Sequence, residues 1–432
     1  MQILLVRSLV VVFALLALAV QAANWPGWRG ADGLGVCTER NVPEQWSANE
    51  NVRWKTPLPE AGNSTPIVWG DRIFLTQPVG KQRTLMCLDR ANGKVLWQQG
   101  PTYTEPEESH ETNPYCSASP VTDGQRVIAW FGSAGVYCYD FAGKELWHRD
   151  LGKQEHDWGY GSSPLIHGDL CILYFGPGKL GTLSGLNKAT GKTVWQVNDP
   201  PADERPRTDG FRGQKNGYVG SFASPILVKH GGRTELVMSY PQLLCAYEPA
   251  TGKELWRCDG LNELIYASPI ADNGVVVGMG GFLGTTIAVK AGGNGDVTKT
   301  HRLWQEQRTK NRLGSGVVKG DHVYILNSEG IAECIELRSG KNVWEERVDG
   351  KGPKTSSWSS MTLVGDKIYV MNQSGDTAIL RAAPKYELIT VNSIGNELTN
   401  ASHAFADGEI FLRTHKHLWC IGKKASEQAK SL

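Results

Sequence analysis

Three short stretches hold most of the chemistry that the side chains offer. Ser109-His110-Glu111-Thr112-Asn113-Pro114-Tyr115-Cys116 sets an imidazole beside a carboxylate, an amide and a phenol. His156-Asp157-Trp158-Gly159-Tyr160-Gly161 pairs imidazole and carboxylate again, now with aromatics attached. Imidazoles that titrate near neutral pH serve as acid, base or ligand, so His110 and His156 are the candidates for a lyase or hydrolase. Such a role also needs a substrate within hydrogen-bond reach. The third stretch, His415-Lys416-His417, would place two imidazoles on one face of a strand, as a metal site requires. No third ligand accompanies them, so an exposed strand face is the simpler expectation and no metal is expected. The chain has no Gly-rich phosphate loop, Ser-His-Asp pattern, Cys-x-x-Cys pair or dinucleotide fingerprint.

The first two stretches sit in long connections between short apolar runs, Gln98 to Ser117 and His148 to Gly161. A third long connection, Gln196 to Phe222, carries Arg205, Arg207 and Arg212. Mixed charge with aromatics on such loops is typical of recognition surfaces. The expected partner-binding set is therefore His110, Glu111, Asn113, Tyr115, His156, Asp157, Trp158, Arg205, Arg207 and Arg212.

The elements that must position these loops are read from repetition. Gly-Lys-x-x-Trp occurs five times, ending at Trp97, Trp147, Trp195, Trp256 and Trp344. Each copy follows a β-type run, and its Gly fits the φ > 0 position of a three-residue hairpin loop. Before the hairpins come Thr65-Pro66-Ile67-Val68, Ser119-Pro120-Val121, Ser163-Pro164-Leu165, Ser224-Pro225-Ile226 and Ser268-Pro269-Ile270. Pro opening a strand costs no ladder hydrogen bond. Each unit is thus four short antiparallel strands. Val289 to Trp304 is a hairpin with a Gly/Asn-rich insertion, Ser357 to Val391 is a unit without its Trp, and Ala401 to Ile421 gives three strands of an eighth. The missing strand is expected from Asn51 to Thr56, which includes Trp54. The spacing is about 46 residues per unit, inside the ~40–50 of propeller blades. The fold expected is all-β: an eight-bladed β-propeller spanning 51–422 and closed by its N-terminal strand, which leaves no open edge.

Composition fits this. The 432 residues include 50 Gly and 15 Trp, many tight turns with a few large anchors. Forty-five Lys and Arg against 44 Asp and Glu leave no dominant field, so nucleic acid is not an expected partner. Residues 1–22 read as a secretory signal: Arg7, an apolar run from Leu9 to Val20, then Val20-Gln21-Ala22. That run is short of the ~20 residues that span a bilayer, and no cysteine follows it to carry a lipid. Residues 23–50 form an N-terminal extension and 423–432 a polar tail. The expectation is an extracytoplasmic monomer without a membrane anchor. Of nine cysteines, Cys87, Cys138, Cys334 and Cys420 share one slot of their blades and are expected to pack as small buried groups, too far apart to bridge.

The Ala-Thr-Gly-Lys-x-x-Trp hairpins, with the opening Trp25-Pro26-Gly27-Trp28-Arg29-Gly30, resemble the tryptophan-docking repeats of the PQQ-like (quinoprotein-type, BamB-like) β-propeller family. The resemblance covers nearly all of the chain after residue 22. It implies that Trp54, Trp97, Trp147, Trp195, Trp256, Trp304 and Trp344 pack structurally between blades. One branch of that family holds PQQ with Ca²⁺ on the axis beside an acidic base; many of its members carry a disulfide between adjacent cysteines. The other binds no cofactor and presents loops to protein partners. This sequence has no Cys-Cys pair and no evident Ca²⁺ constellation. The expected function is a non-catalytic exported platform for a protein, peptide or polysaccharide. The alternative is a PQQ-dependent oxidoreductase with a diverged cofactor site.

Overall fold

The computed structural model describes residues 24–178, 181–207, 219–307 and 310–422. The leader at 1–22 and the tail at 423–432 lie outside them. Among the described residues eight blade sheets follow one another in chain order, with a separate two-stranded parallel pairing of Gly220–Ser221 with Leu264–Ile265. Blade 1 consists of Ile67–Trp69, Arg72–Val79, Gln82–Asp89 and Val95–Gln99, each strand antiparallel to the last. Blades 2 to 7 begin at the inner strands Val121–Thr122, Leu165–His167, Ile226–His230, Ile270–Asp272, Val317–Lys319 and Thr362–Val364. Blade 8 has the inner strands Ala404–Ala406, Glu409–Arg413 and His417–Ile421. Its outer strand is Val52–Pro57, from the start of the propeller. The ring is closed as the sequence predicts.

The hairpin glycines adopt left-handed backbone, Gly93, Gly143, Gly191, Gly252 and Gly340 all lying at φ 70–88°. A second reason for glycine is contact. A Cβ on Gly191 would come within 2.6 Å of the Trp147 ring of the preceding blade. The same Trp147 donates its indole N–H to Lys188 O (3.0 Å), in that same turn. Trp54, Trp97, Trp195, Trp304 and Trp344 repeat the bond, to Arg90, Phe141, Pro249, Leu337 and Ala383 carbonyls at 2.8–3.1 Å. Trp256 differs. Its N–H goes to the buried Glu235 carboxylate (2.9 Å), because blade 5 has the expanded Gly/Asn-rich turn in place of a docking turn. Part of that insertion, Gly295–Asp296, pairs in parallel with the outer strand of blade 4.

Opposite the docking tryptophans stand small residues: Cys87, Cys138, Cys334 and Cys420 face Trp97, Trp147, Trp344 and Trp54 across their strand pairs. All nine cysteines are buried and free. Burial pushes the Cys87, Cys138 and Cys420 thiols up to about 12, away from thiolate reactivity.

Two features organise the axis. The first is a closed circle of hydroxyls two residues before each inner strand. Thr65 N–H donates to Ser119 Oγ (2.9 Å), Ser119 to Ser163 (2.9 Å), Ser163 to Ser224 (2.8 Å) and Ser224 to Ser268 (2.7 Å). Ser268 continues to Ser315, Ser315 to Ser360 and Ser360 to Ser402 (each 2.9 Å), and Ser402 returns to Thr65 Oγ1 (3.0 Å). Every inter-blade step thus carries one buried bond of the same kind.

The second is the N-terminal extension, which crosses one end of the channel and pairs with inner-strand edges. Trp25 bridges to Val68, Thr122 N–H reaches Pro26 O, Leu227 N–H reaches Asp32 O, and Val36–Cys37 lies parallel to Leu363–Val364. Edge groups that would face an open channel are thereby satisfied. Arg29 is buried at the centre of this plug. It donates to Gly33 and Leu34 carbonyls of the extension, to Ser315 and Gly316 of blade 6 and to Met361 of blade 7, at 2.7–3.3 Å.

Candidate functional site

The plug converts the axial channel into a cavity of about 330 Å³, within the range of small-molecule pockets. Trp28 is part of its wall and also borders a second space of about 130 Å³ lined by Pro26, Gly30 and Gly33 of the extension. Trp28 is thus the floor. The hydroxyls of Thr65, Ser163, Ser224, Ser315, Ser360 and Ser402 line the wall.

One turn above them stands a second circle, again one residue per blade and two positions earlier in sequence. Asn63, Ser117, Gly161 and Phe222 serve blades 1 to 4; Tyr266, Leu313, Trp358 and Asn400 serve blades 5 to 8. Side chains two apart on extended backbone share a direction, which is why both circles face the axis. Phe222 and Tyr266 stack with centroids 5.1 Å apart and planes 3° from parallel. Tyr266 meets Phe282 at 5.4 Å and Trp358 at 6.5 Å, both edge to face.

Two of the long connections form the mouth. Asn63 and Asn400 amides donate to Thr112 O (2.8 and 3.0 Å), pinning the His110–Asn113 turn over blades 1 and 8. Asn113 then donates to Trp158 O and Tyr160 O (2.7 and 3.0 Å), tying the first connection to the second. His110 is exposed at the rim. Its Nδ1 lies 2.8 Å from Thr112 Oγ1, and its ring stands edge to face with Trp158 at 6.4 Å. Among the described residues no carboxylate is hydrogen-bonded to that imidazole, so the third group that orients a general base is not found there.

Of the residues expected from sequence, His110, Asn113 and Trp158 line the cavity. Glu111 and Asp157 are exposed and outside its wall. Tyr115 is occupied elsewhere, donating to Glu107 O (2.8 Å) beneath the Arg83 guanidinium, 3.7 Å from its ring centroid. His156 is buried behind the wall. It stands edge to face with Phe222 (5.2 Å, 85°), its Nδ1 accepts the Trp158 N–H (3.2 Å), and burial pushes its pKa down to about 4. It is a neutral prop for Phe222 and Trp158 rather than a group at the cavity surface. Arg205 turns to blade 4, forming a bidentate ion pair with Asp259 (2.9 and 3.1 Å) that raises its pKa. Arg207 is half-buried beyond the cavity wall, and Arg212 lies outside the described residues.

The expectation for His415 and His417 needs correction. His415 and Lys416 occupy the bend before the strand His417–Ile421, and the two imidazoles take different partners. His415 Nε2 is 3.3 Å from Asn63 Oδ1, while His417 Nδ1 pairs with Glu397 at 2.8 Å. No group of three or more His, Cys, Asp or Glu able to hold a metal exists among the described residues.

Sequence reasoning missed Phe222, Tyr266, Phe282, Leu313, Trp358, Asn63, Asn400 and the floor Trp28. A signal existed for most: each residue of the upper circle lies two before a repeated Ser or Thr, and three of those hydroxyls (Ser315, Ser360, Ser402) lack the following Pro that marks the other five.

Residues 45–173, 81–215 and 179–431 match the family described as outer membrane protein assembly factor BamB. Among solved structures, BamB from Moraxella catarrhalis is similar over 80% of this chain and 92% of that one, with 15% identity and a TM-score of 0.52. Quinohemoprotein alcohol dehydrogenase from Comamonas testosteroni is similar over 95% and 82%, with 12% identity and a TM-score of 0.67. The computationally designed Ika8 protein is similar over 85% and 99%, with 11% identity and a TM-score of 0.57. Likeness at these identities shows the fold. No curated protein is a significant match.

Proposed function

The chain belongs to the family described as outer membrane protein assembly factor BamB, and from that premise we propose that it is a non-catalytic binding platform working outside the cytoplasm. The binding face is the loop-rich one, where the axial cavity opens between the His110–Asn113 turn and Trp158. The leader pattern at 1–22 and the family's description favour the location. No helix among the described residues is long and apolar enough to cross a membrane.

One observation carries the choice between platform and oxidoreductase. The described residues lining the cavity include no Asp, Glu, Lys or Arg, and His110 is the single imidazole among them. PQQ carries three carboxylates, and its Ca²⁺ seeks six to eight oxygen ligands, carboxylates prominent among them. The described lining residues offer neither counter-charges for the first nor anionic ligands for the second. These residues do not fit the group, and a buried anion without a partner is strongly disfavoured.

The test is a titration of the chain from Asn24 onward with PQQ and Ca²⁺, read by tryptophan fluorescence, followed by dye reduction with an alcohol or a sugar. No saturable quenching is expected. Saturation near one equivalent with substrate-dependent dye reduction would replace the platform by a quinoprotein.

A further inference from the structure

The upper circle of the cavity is not mixed at random. Phe222, Tyr266, Leu313 and Trp358 belong to blades 4 to 7, so they form one continuous apolar arc. Asn400, Asn63, Ser117 and Gly161 belong to blades 8, 1, 2 and 3, the opposite arc, polar or small throughout. Beneath both runs the hydroxyl circle. Thr65, Ser163, Ser224, Ser315, Ser360 and Ser402 are each at most 5% exposed. Each already accepts a backbone N–H from the preceding blade. A hydroxyl keeps one O–H to give, and none of these six gives it to a protein acceptor among the described residues.

Six buried donors, an aromatic wall on one side and no charge among the described lining residues together define a ligand. A hydrocarbon would satisfy the arc and strand the donors. A phosphate or sulfate would satisfy the donors, but no cation among the described lining residues would balance it. A flat heteroaromatic would stack on Tyr266 and Trp358 and still leave most of the hydroxyl circle unused. We propose that the cavity binds a neutral saccharide residue, its C–H face against the Phe222–Tyr266–Trp358 arc and its hydroxyls among the circle of Ser and Thr O–H groups. Asn113 Oδ1, whose amide nitrogen is spent on Trp158 and Tyr160 carbonyls, supplies an acceptor at the mouth. Trp28 closes the far end, so a glycan enters by its terminal residue and does not thread the ring. This assignment rests on the platform role and names its ligand class.

The test uses the chain from Asn24 onward and a panel of neutral probes: glucose, galactose, mannose, N-acetylglucosamine and their 1,4-linked disaccharides. Binding is read by tryptophan fluorescence and calorimetry, with sodium phosphate and sodium sulfate as anion controls. At least one saccharide should bind saturably, and Trp358→Ala should weaken it about tenfold or more. A blocking variant guards against misfolding. Gly161 has no left-handed φ, and an added Cβ would meet Phe222 at ordinary contact, 3.7 Å. Gly161→Trp therefore fills the polar arc without backbone strain. It should melt within a degree or two of wild type and abolish binding.

Three results would overturn the assignment: no saccharide binding up to about 10 mM, saccharide binding that survives Gly161→Trp, or saturable binding of phosphate or sulfate in its place. Each of these leaves the platform standing, because only PQQ binding with dye reduction removes that.

Discussion

Arg29 concentrates enough bonding in one side chain for its removal to be worked through. Its guanidinium makes five hydrogen bonds to carbonyls, joining the extension to blades 6 and 7, with the shortest to Gly316 O (2.7 Å) and Met361 O (2.8 Å). No carboxylate among the described residues pairs with it, so burial lowers its pKa and taking the cation out of water opposes these bonds. Bonds to charged groups are worth about 1.5–3 kcal/mol each, and the desolvation term removes much of that total. Arg29→Met keeps most of the volume, so the cavity term is small. What is lost is the bonding of several buried carbonyls, and breaking a buried charged network from one side costs about 3–5 kcal/mol. With an unfolding entropy of roughly 0.8 kcal/mol/K for a chain of this size, the melting temperature should fall by about 4–6 °C. The extension should also loosen, so acrylamide should quench Trp28 more readily. Calorimetry and quenching on the same preparation check both. A variant that melts within about 1 °C of wild type, with unchanged quenching, would refute Arg29 as the anchor of the plug.

Two further outcomes follow from buried groups. Ser268 belongs to the hydroxyl circle without lining the cavity, so Ser268→Ala should strand the Ser224 N–H and cost about 1–3 kcal/mol by denaturant unfolding, with ligand binding unchanged. Burial pushes His156 down to about 4 and His403 to about 3. Both are neutral when folded and take up protons when unfolded. Their contribution is fully present above the unfolded pKa of about 6.5 and is lost as pH falls towards 4. The loss is on the order of a few kcal/mol for each. The melting temperature should drop steadily over that window, and His403→Gln should flatten the slope; a wild-type profile that is flat from pH 6.5 to 4 would contradict this.

The architecture was legible because it repeats. The hairpin glycines and docking tryptophans announce themselves five times over, and a strand at Val52–Pro57 with no partner nearby in sequence points to closure. The cavity was less legible for a physical reason. Its wall is built from one residue per blade, so Phe222 and Trp358 are 136 positions apart in the chain and meet only once the ring exists. His156 illustrates the converse. Its neighbours Asp157 and Trp158 suggest a reactive site, but the backbone turns it behind Phe222, and desolvation removes its charge. Arg205 likewise looked available until the fold brought Asp259 opposite it. Trp28 could be placed by no local rule, since the extension that carries it has little regular structure and is organised by the inner strands it crosses.

The entrance to each inner strand separates structure from recognition. The hydroxyl position carries the inter-blade bond and has little freedom. The position before it holds Ser64, Ala118, Ser162, Ala223, Ala267, Gly314, Ser359 and Ala401, all small. The seven with side chains are buried, and at Gly314 any Cβ would collide with Ser359 O of the next blade. The position before that, the upper circle, borders the cavity in every blade, and there the residues range from Gly161 to Trp358. A change at Gly161, Leu313 or Trp358 breaks no ladder bond and no side-chain bond between blades, unlike one at Asn63 or Asn400, so ligand preference can shift there without loss of the ring. Ala267→Val should therefore overpack the blade interface and cost about 1–3 kcal/mol. Ser117→Ala, whose hydroxyl donates only to Pro114 O nearby in sequence, should stay within about 1 kcal/mol of wild type. Equal losses for the two in denaturant unfolding would show that the upper circle is bound to the fold as tightly as the layer beneath it, and that the division of labour is wrong.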